Sequence, residues 1–202
     1  NQKAVGSEDS FSLIEDKTRK LTAENYLIQA LYDHRPTGRL LTNVGFTWDR
    51  NKFAGVEGRA LGTAGAGVIL ADSDSTKMKM SAGLSFTIRK YSGQSVSSFL
   101  GFQYAFSWKQ KLLDNSSLET GFVFDDNIKH LGDWHYEWTT SLMAPLTKSL
   151  ALKASVRVMK NNRPPEAEVP LYGPDNVDTG LTVLVPRQKV DTFFTTTIVL
   201  NF

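Results

Sequence analysis

The chain has 202 residues, room for one domain with a sizeable core, and its 23 basic and 21 acidic side chains leave a net charge of only +2, too little for a field aimed at nucleic acid. Cysteine is absent, which excludes a disulfide scaffold, a thiolate metal site and a cysteine nucleophile, and suits passage through an oxidising periplasm. No run reaches the roughly 18 consecutive apolar residues of a transmembrane helix; the mean hydropathy of −0.26 still leaves room for membrane strands, whose alternating residues average out. Asn1 carries no initiator Met, basic n-region or apolar h-region, so the chain reads as a mature or truncated form.

Residues 1–20 are polar and read as an N-terminal segment or outer loop, with a barrel domain over 21–202. From there the apolar residues recur with period two, the mark of strands. Tyr26, Ile28, Ala30 and Tyr32 alternate with Leu27, Gln29, Leu31 and Asp33, and Val44, Phe46 and Trp48 with Asn43, Gly45, Thr47 and Asp49. The stretch from Arg59 to Leu70 is rich in glycine and alanine; its small residues suit a bend or a close approach. Met78 to Ile88, Leu100 to Trp108, Leu118 to Phe124, Trp134 to Ala144, Leu150 to Val158 and Phe194 to Phe202 continue the even-numbered apolar parity. About nine strands of ten or more residues result, long enough for tilted strands to cross a bilayer. No segment reads as a helix.

Connectors alternate in length. His34–Gly38, Asp72–Ser75, Asp114–Ser117 and Thr147–Ser149 are tight turns, and between them fall Phe53–Glu57, Ser92–Ser95, Asn127–Asp133 and the long Asn161–Gln188. Short turns at one end and longer loops at the other describe a transmembrane up-and-down barrel with the short end periplasmic. Nine is odd where single-chain bacterial barrels have even counts. Either residues 10–20 hold a poorly patterned strand or N-terminal strands are missing; the polarity of residues 1–20 favours the second.

Alternation does not say which parity faces inward. A soluble lipocalin-type barrel would bury the apolar one. Lipid outside is favoured by aromatics near strand ends: Trp48, Phe122, Phe124, Trp134, Tyr136 and Trp138 at one end, Tyr32, Phe106, Trp108 and Phe202 at the other. A terminal Phe after alternating apolar residues looks like the signal read by the barrel assembly machinery. The expected surroundings are then membrane lipid and lipopolysaccharide, and the expected address is the outer membrane.

If the polar parity lines the lumen, it carries charges of both signs. Glu119 is expected low, level with Lys109 and Lys153, while Asp125, Glu137, Arg157 and Asp191 fall within a few residue steps of one another on four consecutive strands. A guanidinium can satisfy two carboxylates, so Arg157 is expected to bridge acidic residues and leave the lumen narrow or occluded. The bland alternative is a set of charges that merely hydrate a structural barrel.

Catalysis is not expected. His34 and His130 flank a turn and a loop, and His135 and Ser141, six residues apart on one strand, are separated by roughly 20 Å. Asp72-Ser73-Asp74-Ser75 and Asp125-Asp126 lack the spacing of a calcium loop, and no helix follows the glycines of 62–67 to hold a phosphate. No cofactor or metal is expected. The loop 161–188, stiffened by Pro164, Pro165, Pro170, Pro174 and Pro186 and carrying the apolar run Leu181–Val185, is the candidate for a protein partner or for a lid over the barrel mouth.

Several motifs, in this order, resemble a known family: Asp49-Arg50 at a strand end, Leu61-Gly62-Thr63-Ala64-Gly65-Ala66-Gly67, Ala144-Pro145-Leu146-Thr147, Asn162-Arg163-Pro164-Pro165, and Asp191-Thr192 leading into Thr195-Thr196 and Phe202. The family is number 481 of the domains of unknown function, which includes YdiY-like salt-induced outer-membrane proteins. The resemblance runs from about Thr22 to Phe202 and implies a barrel of about twelve strands. The family's opening Trp-Thr-Gly strand and Gly-Asn turn are absent, in keeping with missing N-terminal strands, and Leu171–Pro186 looks like an expansion of the last outer loop. The resemblance implies a fold and an address but no activity. The expected function is a structural or docking barrel, with a narrow channel for ions or a small solute as the alternative.

Overall fold

The computed structural model describes residues 2–7, 9–15, 25–51, 56–113, 116–147, 150–164, 166–173, 177–186 and 189–200. Among these residues all regular structure is β-strand. The strands are β1 (Gln2–Ser7), β2 (Ser10–Glu15), β3 (Asn25–His34), β4 (Leu40–Asn51), β5 (Val56–Asp72), β6 (Thr76–Tyr91), β7 (Ser97–Leu113), β8 (Ser116–Asn127), β9 (Trp134–Pro145), β10 (Leu150–Asn161), β11 (Glu166–Tyr172), β12 (Asp178–Pro186) and β13 (Val190–Leu200).

Nine of them form one antiparallel sheet, ordered β3 through β10 and then β13. Neighbours in sequence are neighbours in space, the up-and-down arrangement that short turns between alternating strands produce. The turns at one end span 35–39, 73–75, 114–115 and 146–149, and the connectors at the other span 52–55, 92–96, 128–133 and 162–189. Of these, 52–55, 114–115 and 148–149 lie outside the described residues. In the 73–75 turn, the Ser73 hydroxyl accepts from the Thr76 amide at 3.0 Å, and the Ser73 amide donates to the Thr76 carbonyl at 2.9 Å. The serine thus closes the turn with its side chain.

The sheet is curled into a half-barrel. Lys79 of β6 reaches Asp33 of β3 at 2.5 Å, passing over β4 and β5. In a flat sheet those two strands would lie about 14 Å apart, beyond the reach of one lysine. Both residues have odd numbers, so the polar parity occupies the concave side. Burial agrees: in β6, Ser85 and Thr87 are 2% and 7% exposed while Leu84 and Phe86 are 58% and 46%. The apolar parity is the outer one.

β5 and β6 approach closely where Gly65 lies directly opposite Gly83. A Cβ on Gly83 would sit 2.3 Å from the Ala64 carbonyl oxygen and 2.5 Å from the Gly65 Cα, and one on Gly67 would sit 2.3 Å from the Met80 carbonyl oxygen. The object that approaches the small-residue strand is therefore its own neighbour.

A second, four-stranded sheet is ordered β12-β11-β1-β2. Residues 1–20, read from sequence as a polar loop, contain the hairpin β1–β2, and the loop 161–188 contains the hairpin β11–β12. A parallel pairing of Ala4 with Leu171 and Val5 with Tyr172 joins them. Ala4, Val169, Leu171 and Val185 are buried there, with Phe11 and Val183 packed against them. The open alternative of a strand within residues 10–20 is met by β2, which joins this sheet and not the half-barrel.

Candidate functional site

The concave face is built in transverse rows, each taking one residue per strand, odd-numbered except at Asp72, which follows the register shift between Ile69 and Ala71. Near the short turns one row runs Asp72, Lys77, Lys109, Glu119, Ser141, Ser155 across β5 to β10. Glu119 accepts from Lys109 at 2.6 Å through one oxygen and from Lys153, two strands away, at 2.9 Å through the other. The hydroxyls of Ser141 and Ser155 share a hydrogen bond of 2.9 Å. Arg35, just past β3, reaches over to Asp72 at 2.8 Å. The three residues expected low in the lumen, Lys109, Glu119 and Lys153, are thus one contact network.

A cavity of about 460 Å³ opens at this end, lined by Arg35, Asp72, Lys77, Lys79, Lys109, Glu119, Ser141 and Lys153 among others. Its lining comes from the turn after β3 and from β5 to β10, so it exists only because the sheet curls.

Towards the longer loops the charges fall into separate pairs. Arg157 meets Glu137 at 2.5 Å, whereas Asp125 accepts from the Gln103 amide at 3.0 Å. Among the described residues no ion pair joins Arg157 to Asp125 or Asp191, so the expected bridge is a single contact. The register accounts for Asp125 but not for Asp191. Asp191 lies opposite Met159, in the row of Glu137, and Asp125 lies opposite His135, one row further from Arg157. His135 and Ser141 have different neighbours, Asp125 and Asn161 for the first and Glu119 and Ser155 for the second. Among the described residues, no group of three or more His, Asp or Glu side chains is placed to hold a metal ion.

Arg59 and Arg89 stand directly opposite each other, an unfavourable pairing of like charges. The two turn away to different partners. Arg59 takes Asp49 at 2.7 Å, and Arg89 takes Asp133 at 2.6 Å. Asp133 belongs to the 128–133 connector, which therefore folds inward over β7 and receives a further bond from Asn127 at 3.2 Å. The Arg89 guanidinium also lies 5.0 Å from the Tyr91 ring centroid and 4.7 Å from that of Phe99, positions that favour a cation over a π face. Asn162 donates to the Gly132 carbonyl at 2.8 Å and so ties the β10 exit to the same connector. Sequence reasoning placed Asp133 in an outer loop; no strand parity marks it, because its contact depends on curl.

On the convex face Tyr104, Phe122, Phe124, Trp134 and Tyr136 form a continuous patch, with ring centroids 5.9 to 6.4 Å apart along the chain of contacts. The Lys160 ammonium lies 5.3 Å from the Trp134 ring. Phe106, Phe122 and Trp138 are register partners, so rings assigned from sequence to opposite ends adjoin across β7 to β9. Trp108 lies opposite Met78 and Thr120 nearer the short turns, and Trp48 opposite Ile28 and Ala60 nearer the other end. Phe202 lies outside the described residues.

A family model described as a protein of unknown function, DUF481, matches residues 8–202, and the chain belongs to that family. No curated protein and no solved structure matches it.

Proposed function

We propose that this member of DUF481 is an outer-membrane β-barrel protein of structural or docking type, whose apolar parity faces lipid and whose cross-linked charged parity faces a narrow or occluded lumen. One observation carries the reading. In the nine-stranded sheet the even-numbered apolar side chains Val44, Phe46, Leu84, Phe86, Leu100, Phe102, Leu142 and Ile198 are exposed, while charged side chains of the concave face pair with each other, as Lys79 with Asp33, Lys153 with Glu119 and Arg157 with Glu137. Water as the outer solvent would favour the reverse, since burial of apolar surface is the main force that holds a soluble sheet together. Lipid tolerates this arrangement, and it demands that every backbone group be paired within the sheet. Lipid and lipopolysaccharide are the partners of the convex face, and the barrel assembly machinery is the partner during insertion. The hairpin within 161–188 exposes Leu181 and Leu184 to a possible protein partner.

The test is the folding of the full chain into phospholipid vesicles. Leu84, midway along β6, is replaced by Lys; a loss of about 2–4 kcal/mol in bilayer folding supports lipid contact, and no loss contradicts it. Cell fractionation checks the address. A narrow channel is the second reading, favoured by the cavity on the concave face. A steady ion-selective single-channel current that changes with Arg157→Ala supports the channel, and silence supports the structural barrel. Co-purification of a partner with the full chain, lost on Leu184→Ser, supports docking.

A further inference from the structure

The cavity at the short-turn end has an electrostatic imbalance that the surrounding contacts leave unresolved. Five cations line it, Arg35, Lys77, Lys79, Lys109 and Lys153, against the two carboxylates Asp72 and Glu119. Asp33 joins from its edge by binding Lys79. Arg35 is matched to Asp72 and Lys79 to Asp33, one cation to each carboxylate. Lys109 and Lys153 must divide Glu119 between them. Lys77 has no ion pair or hydrogen bond among the described residues; it stands between Lys109 and Asp72, and Asp72 is bound to Arg35. Two ammonium groups face to face on one side of a sheet repel each other. Among the described residues two positive charges around the cavity thus remain unmatched.

We propose that this cavity binds a small phosphate monoester. The unmatched charges are lysines, compact point charges that approach an oxyanion from separate directions. The cavity's one arginine, whose planar fork suits a carboxylate, is already committed to Asp72. A phosphate dianion supplies the two missing negative charges, and Lys77, Lys109 and Lys153 are the groups that meet it. The volume of about 460 Å³ falls within the usual range of small-molecule sites and leaves room for an organic body beside the phosphate. The site is defined by strand register and curl, so it does not depend on what solvent covers the convex face.

Calorimetric titration of the full chain in detergent micelles at low salt, with glycerol 3-phosphate as the probe and glycerol and succinate as controls, tests the assignment. Saturable binding of the phosphate that weakens with added salt is expected, with no binding of glycerol. Lys77→Gln breaks no ion pair, so the fold is not at stake, and it should weaken binding about three- to tenfold. Glu119→Gln releases two lysines and should tighten binding by a similar factor. Arg157→Gln, at the other end, should leave it unchanged. The proposal is overturned if the wild-type chain shows no saturable binding, if Lys77→Gln binds as the wild type does, or if succinate binds as tightly as the phosphate.

Discussion

The two sheets of this molecule follow opposite rules of burial. In the four-stranded sheet the apolar residues Ala4, Val169, Leu171 and Val185 are inside and packed together, as in a small water-soluble fold. In the nine-stranded sheet Leu84, Leu100, Leu142 and Phe194 are outside, and Ser85, Thr87 and Ser141 are inside. Both sheets use the same residue types and the same period-two alternation, so neither composition nor alternation distinguishes them. What differs is which parity is covered: the apolar one in the small sheet and the polar one in the half-barrel. A sheet that curls towards its polar parity must satisfy that parity with its own side chains; the ion pairs Lys79–Asp33 and Lys153–Glu119, which span non-adjacent strands, and Arg89–Asp133, which ties β6 to the 128–133 connector, do so.

Mutations can break or sharpen this contrast. The largest effect is expected from Leu171→Ala, which opens a cavity in the small sheet and should cost it about 2–5 kcal/mol. Hydrogen exchange should show amides of 166–172 losing protection while those of β5 to β9 keep theirs; uniform loss would mean that the two sheets unfold as one. Leu84→Lys is next, at about 2–4 kcal/mol in a bilayer, whereas an exposed position in water would tolerate it within about 0.5 kcal/mol. Asp133→Asn leaves the Arg89 guanidinium, only 18% exposed, without its carboxylate and should cost about 2 kcal/mol in thermal or denaturant unfolding. An unchanged midpoint would show that the inward fold of the 128–133 connector contributes nothing. The smallest effect is expected for Lys153→Gln, about 1 kcal/mol or less by the same measurement, because the pair is one-third exposed and Glu119 keeps Lys109.

Much of the half-barrel was legible because the property that builds it is local. Even-numbered apolar residues mark each strand from Tyr26 to Ile198, and the turn residues fall where the strands end. The small sheet was not legible, for two physical reasons. Pro170 sits inside β11 opposite Thr182, and a proline within a run ordinarily argues against a strand because it lacks the amide donor. The parallel pairing of Ala4 with Leu171 also joins distant parts of the chain, and nothing local encodes its register. The candidate site divides in the same way. The Lys109–Glu119 contact follows from direct register, and Glu119–Lys153 from a shared face. That Arg157 meets Glu137 and not Asp125 depends on a single-row offset that residue counting does not resolve, and Asp191, in the row of Glu137, differs from it only in lying on the other side of β10.

The close approach at Gly65, Gly67 and Gly83 divides the half-barrel's positions into two kinds with different evolutionary prospects. Lysines, aspartates and serines along the rows meet each other through side-chain ends, so related chains can exchange them in sets and alter the charge of the interior without rebuilding the sheet. The three glycines have no such latitude, since even a methyl group would strike the neighbouring backbone. A protein of this design can therefore diversify in what it holds while keeping its curvature, and the fixed part of its inheritance is written as the absence of a side chain.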